Sequence, residues 1–189
     1  IYIADMWVEK RRSALEEVVI KRFCQEDTTF TQFTHIYNEF LEHEDIPYDE
    51  TLYYTEDVYR TRKNRLSEAR FLLWKQNETI RAYDVDGRDY TELLQELNFD
   101  SYENIEISTE KLIREHLALM QRYDIRDRYE LHNLLKKIVE DGAYHNFHCC
   151  RTPDIRFGTF DKKEAIFNIM AENSPVSQED LIQAVSDEY

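Results

Sequence analysis

The stretch TEDVYRTRKNRLSEARFLLWKQNETIRAY, residues 55–83, decides how the chain is read. Thr55 is an N-cap residue, and Glu56 and Asp57 supply the acidic first turn that suits the positive end of a helix. The pattern predicts a helix from Thr55 to Arg70. Phe71–Lys75 and Thr79–Tyr83 are rich in aromatic and β-branched residues and flank the polar pair Gln76 and Asn77, as the arms of a short hairpin do. A basic helix running straight into a hairpin is the unit around which the rest of the chain is arranged.

Upstream, residues 5–25 place Leu15, Val18, Val19, Arg22 and Phe23 at helical spacing, with Glu9, Lys10, Arg11, Glu16 and Glu17 around them. Thr28 and Thr29 are positioned to cap a second helix carrying Phe30, Phe33, Ile36, Tyr37, Phe40 and Leu41, which Pro47 ends. Downstream of the turn at Asp86 and Gly87 the same order recurs. Helices are predicted over Tyr90–Leu97, Thr109–Tyr123 and Asp127–Val139, the last with the capping-box pair Asp127 and Glu130. A second hairpin follows, Phe147–Cys150 and Ile155–Phe157, around Thr152, Pro153 and Asp154. Both hairpins carry an Ile-Arg pair, Ile80-Arg81 and Ile155-Arg156. Asp161 with Glu164 then opens a helix through Ala165, Ile166, Ile169 and Met170, and Ser177 with Asp180 opens another after Pro175. The reading is a mainly α fold with short β-hairpins, divided into 1–85, 86–160 and the helical start of a third unit, 161–189.

Composition agrees. Three glycines and three prolines in 189 residues are too few for an all-β fold, which spends many such residues on turns. Cys24, Cys149 and Cys150 are odd in number and two are adjacent, which argues against a disulfide framework and for a reducing compartment. No apolar run approaches the roughly 18–20 residues that span a bilayer, and no leader pattern opens the chain, so a cytoplasmic protein without membrane contact is expected. A strong helix signal runs to the last residue, so we expect the chain to belong to something longer.

Three helices followed by a hairpin resemble the winged-helix version of the helix-turn-helix, and the second half resembles a tandem copy. That resemblance implies a third helix lying in a DNA major groove and a hairpin touching the backbone. The charge is distributed accordingly. Between Arg60 and Arg81 seven basic residues face only Glu68 and Glu78, a net +5 in a chain whose total is -15. The candidate nucleic-acid contacts are Arg62, Asn64 and Arg65 near base edges, Arg60, Lys63, Arg70 and Lys75 on phosphate, and Arg81 in the hairpin. Tyr59 and Trp74 are read as packing against sugars or filling core. The expected function is DNA binding without chemistry, in transcription regulation. Two other readings stand beside it: a solvated face whose arginines pair with Glu56 and Asp57, and a protein-interaction or scaffold module that dimerises through the helix 5–25.

No catalytic residue, cofactor or metal site is assigned. His145, His148, Cys149 and Cys150 are residue types that zinc prefers, but adjacent cysteines on a strand point to opposite faces. The turn Asp84, Asp86, Asp89 has Gly87 at the fourth position of a calcium loop rather than the sixth, and Gln95 where a bidentate glutamate is needed. Neither Gly-x-Ser-x-Gly nor a glycine-rich phosphate loop is present.

Overall fold

The computed structural model describes residues 2–172 and 177–188, with side chains except at 2–10, 56–60, 77, 187 and 188. It forms two units, Ile1–Asp89 and Tyr90–Tyr189. The fold is mainly helical, with two three-stranded antiparallel sheets among the described residues.

The first unit runs α1 (Tyr2–Phe23), β1 (Thr28–Thr29), α2 (Phe30–His43), α3 (Glu56–Glu68), β2 (Leu72–Lys75) and β3 (Thr79–Ala82). Its sheet order is β1-β3-β2, so the last strand lies between the other two. Thr29 serves two elements at once. It pairs with Thr79 in the sheet, and its hydroxyl accepts from the Gln32 amide at 3.3 Å while the Gln32 side chain accepts from the Thr29 amide at 2.9 Å. This capping box satisfies donors that the first turn of α2 leaves unpaired. The core is unusually aromatic: Phe30, Phe33, Tyr37 and Tyr54 sit with ring centroids 5.2–5.9 Å apart, and Trp74 packs on Phe30 at 5.7 Å. Trp74 therefore fills the edge of the core.

One detail of α1 differs from its sequence pattern. Val19 and Ile20 are buried, whereas Val18 and Phe23 are about half exposed and Glu16 is 8% exposed. The helix is rotated so that a carboxylate, read from the sequence as part of the charged surround, faces inward. The buried partner that draws it there lies on α3.

The second unit runs α4 (Thr91–Leu97), β4 (Ile105–Ser108), α5 (Thr109–Glu115), α6 (Leu117–Arg122), α7 (Arg128–Ile138), α8 (Ala143–Asn146), β5 (His148–Cys149), β6 (Asp154–Phe157), α9 (Lys162–Glu172) and α10 (Gln178–Glu188). The helix predicted over Thr109–Tyr123 is broken at His116, whose ψ of 39° ends one segment and starts the next. The single turn α8 is left-handed at Tyr144, His145 and Asn146. The helix pair α9 and α10 belongs to this unit, and Pro175 lies outside the described residues.

The two sheets correspond in register. The second has the order β4-β6-β5, again with the last strand central. Ile80 pairs with Thr28 on one side and Trp74 on the other; Ile155 pairs with Ile107 and Cys149. Both isoleucines are fully buried. Ser108, like Thr29, ends its strand and caps the next helix, accepting from the Lys111 amide at 3.2 Å. The recurring Ile-Arg pair thus marks the same place in each sheet. None of the described helices is long and apolar enough to cross a membrane.

Candidate functional site

The basic island is gathered by α3 and the hairpin, but most of its charges meet carboxylates of the same unit. Arg62 is 3% exposed. Its Nη1 donates to the Leu52 carbonyl at 3.1 Å, its Nη2 stands 3.0 Å from Glu16 Oε1, and its guanidinium lies 4.2 Å from the Tyr54 ring centroid. Lys75 is buried and pairs with Asp27 at 2.8 Å. Arg70 pairs with Asp86 at 2.5 Å, and Lys63 with Glu78. Arg81 is buried, its guanidinium 5.6 Å from the Tyr83 ring. Asn64 and Arg65 are exposed on α3. The side chains of Arg60 and Tyr59 lie outside the described residues. Of the groups assigned to nucleic acid, Arg62, Lys75 and Arg81 are thus interior groups, because a chain that buries a cation must give it a counter-charge and acceptors of its own.

The buried centre of this unit is Arg62, Glu16, Tyr54 and Tyr37. Tyr54 donates to Glu16 at 2.7 Å. Burial pushes the Glu16 carboxyl up, against the pull of Arg62 and of the Tyr54 hydrogen bond. Burial also lowers Arg62, and it raises the hydroxyls of both tyrosines. For Glu16 and Arg62 loss of water outweighs the attraction of the partner, whereas for the two tyrosines the Glu16 charge adds to the effect of burial. Sequence reasoning missed Glu16 and Asp27. Glu16 does carry a signal, since it stands three and four residues before the buried Val19 and Ile20 and so shares their helix face.

In the second unit the charged centre is Glu106, 5% exposed on β4. Its Oε2 accepts from Arg156 Nη2 at 2.6 Å and Nε at 3.0 Å, and Lys162 pairs with Oε1. Burial raises its carboxyl, but the hydrogen bonds from Lys162 and Arg156 prevail and hold it below the ordinary value. Beside it opens a cleft of about 350 Å³, with Phe160, Ala165, Ile166 and Val185 as its apolar wall. The α9 and α10 helices expose Phe167 at 69%, Ile182 at 60%, Met170 at 41% and Ile166 at 40%.

The histidines and cysteines of the H-x-x-H-C-C run do not converge. His148 Nδ1 is 3.6 Å from Asp141, while Cys150 Sγ is 3.7 Å from Glu106 on β4. Burial pushes the Cys149 thiol up to about 12, well away from thiolate chemistry at neutral pH. Among the described residues no three His, Cys, Asp or Glu side chains are grouped to hold a metal ion.

Comparison with family models, with curated proteins and with solved structures gave no match to this chain.

Proposed function

We propose that this is a cytoplasmic, non-catalytic interaction module whose α9 and α10 helices dock a basic amphipathic helix of a protein partner. The observation that carries the reading is the exposure of Ile166, Phe167, Met170 and Ile182 on the contacting helices α9 and α10, in an acidic setting. Large apolar side chains grouped on a surface are a common mark of a binding face. Residues 161–189 hold seven carboxylates against Lys162 and Lys163, and Lys162 is already paired with Glu106. A partner offering an apolar stripe flanked by lysine or arginine complements both features.

The test is fluorescence anisotropy with a labelled amphipathic Leu/Lys helical peptide, on wild type and on a Phe167→Asp, Ile182→Asp variant. Binding that the double variant weakens at least about tenfold supports the reading. A tenfold loss corresponds to about 1.4 kcal/mol of lost contact. Equal affinity of the two proteins, or no binding at low salt, refutes it.

A second reading, DNA contact by a winged-helix-like first unit in transcription regulation, is favoured by the exposure of Asn64 and Arg65 on α3. Internal pairing of Arg62, Lys63, Arg70 and Lys75 leaves it fewer phosphate contacts than the sequence offers. Electrostatic binding weakens steeply with salt. Salt-sensitive retention of a mixed-sequence duplex, lost in Asn64→Ala, Arg65→Ala, is its expected signature; a duplex unbound at 50 mM salt or below removes it.

A further inference from the structure

A second concave feature lies in the first unit, apart from the docking face proposed above. Between α1 and α3 runs a cleft of about 290 Å³ lined by Arg12, Ser13, Glu16, Arg62, Arg65, Leu66 and Ala69. Three guanidinium groups and one carboxylate line it. That carboxylate is already engaged, by the Tyr54 hydroxyl and by Arg62.

The donors are unevenly served. Arg62 uses Nη1 on the Leu52 carbonyl, and its Nη2 meets Glu16 at 3.0 Å, off the axis of a good hydrogen bond. Its Nε, and the Nε of Arg12, are shielded from solvent and find no acceptor among the described groups. Buried N–H groups are rarely left so, and those on a cation are the most costly to leave unpaired. Arg12 also lies close enough to Arg62 for their repulsion to help lower Arg62, behind the larger effect of burial. Two guanidinium groups that repel each other across a cleft, each with an unserved donor, call for an anion with several acceptors.

We propose that the α1/α3 cleft binds the phosphate group of a small phosphorylated molecule, held by Arg12, Arg62 and Arg65. The oxygens of a phosphate dianion take the directed N–H donors of arginine better than a single carboxylate does. The innermost donor belongs to a residue only 3% exposed. A duplex backbone rides over such a recess, whereas a phosphate on a small molecule enters it. Ser13 adds a hydroxyl at the rim.

The experiment titrates inorganic phosphate into the protein in a buffer free of other oxyanions, with sodium chloride of matched ionic strength as the control. Amide chemical shifts and thermal midpoint are followed. A ligand that binds only the folded state raises the midpoint with its concentration. The expected result is saturable binding, with shifts centred on 12–16 and 62–66, weakened at least about tenfold in the double variant Arg12→Gln, Arg65→Gln, since losing even one charge-assisted hydrogen bond costs that much. Arg65 is exposed and Arg12 half-buried, and circular dichroism of the variant checks that the fold is kept. Equal effects of phosphate and chloride overturn the proposal, as does phosphate binding that the variant leaves unchanged. Binding of a mixed-sequence duplex in the absence of any phosphate effect overturns it in favour of a nucleic-acid surface. The variant leaves α9 and α10 untouched, so failure here and failure of the docking reading are separate results.

Discussion

Replacing Arg62 with methionine is the most informative single change in this protein. The substitution keeps much of the side-chain volume but leaves Glu16, 8% exposed, with a hydrogen bond from the Tyr54 hydroxyl and without the guanidinium that stood 3.0 Å away. Removing one member of a buried ion pair costs about 3–5 kcal/mol, because the survivor stays buried and uncompensated. Burial dominates the shifts of both partners, raising Glu16 and lowering Arg62, so the pair itself adds little net stability. The double variant Glu16→Leu, Arg62→Met should therefore return to within about 1 kcal/mol of wild type or exceed it. Both tryptophans, Trp7 and Trp74, belong to the first unit, so urea denaturation followed by tryptophan fluorescence reports this unit alone. The pH dependence has a definite sign. A carboxyl whose folded pKa is raised favours the folded state below its unfolded value, near 4.5, and this contribution is lost as pH rises through the folded pKa. Arg62→Met removes a group that pulls Glu16 down, so its deficit should shrink as the solution is acidified from neutral pH toward 4.5. A single variant costing less than about 1 kcal/mol, or a double variant as unstable as the sum of the singles, would refute the argument.

Two further outcomes are expected. Thr29→Ala and Ser108→Ala should each destabilise their own unit by about 1 kcal/mol in urea titrations, the usual value of an N-cap hydroxyl; stabilities unchanged within error would mean that the caps do not hold these strand-to-helix junctions. Glu106 has the opposite pH sign to Glu16: with its folded pKa depressed, it stabilises the second unit above about pH 4.5, and that contribution is lost as pH falls through the folded value. Chemical denaturation of the second unit, followed by amide resonances, should therefore show a steeper acid loss for wild type than for Glu106→Gln, and parallel curves would contradict the assignment.

The elements themselves were legible in the sequence because their causes are local. Thr29 and Asp127 announce helix starts through hydrogen bonds to residues two or three positions away, and the aromatic and β-branched runs flanking Gln76 and Asn77 mark a hairpin that closes on itself. The edge strands β1 and β4 were not legible. Thr28–Thr29 and Ile105–Ser108 are too short to show a period, and they become strands only because β3 and β6 offer an edge. The break at His116 has no punctuating glycine or proline to announce it.

The basic island shows the division most clearly. Composition alone placed seven cations between Arg60 and Arg81, and with them the expectation of a phosphate-facing surface. Which of those charges meet a carboxylate was decided by partners elsewhere in the chain: Glu16 on α1 for Arg62, Asp27 before β1 for Lys75, Asp86 beyond the hairpin for Arg70. A helix period states which residues share a face, but not how far the helix is rotated against its neighbours. That rotation puts Glu16 and Arg62 inside and leaves Val18 and Phe23 partly outside. It is fixed by packing and by the cost of burying an unpaired charge, both of which arise only when the segments meet.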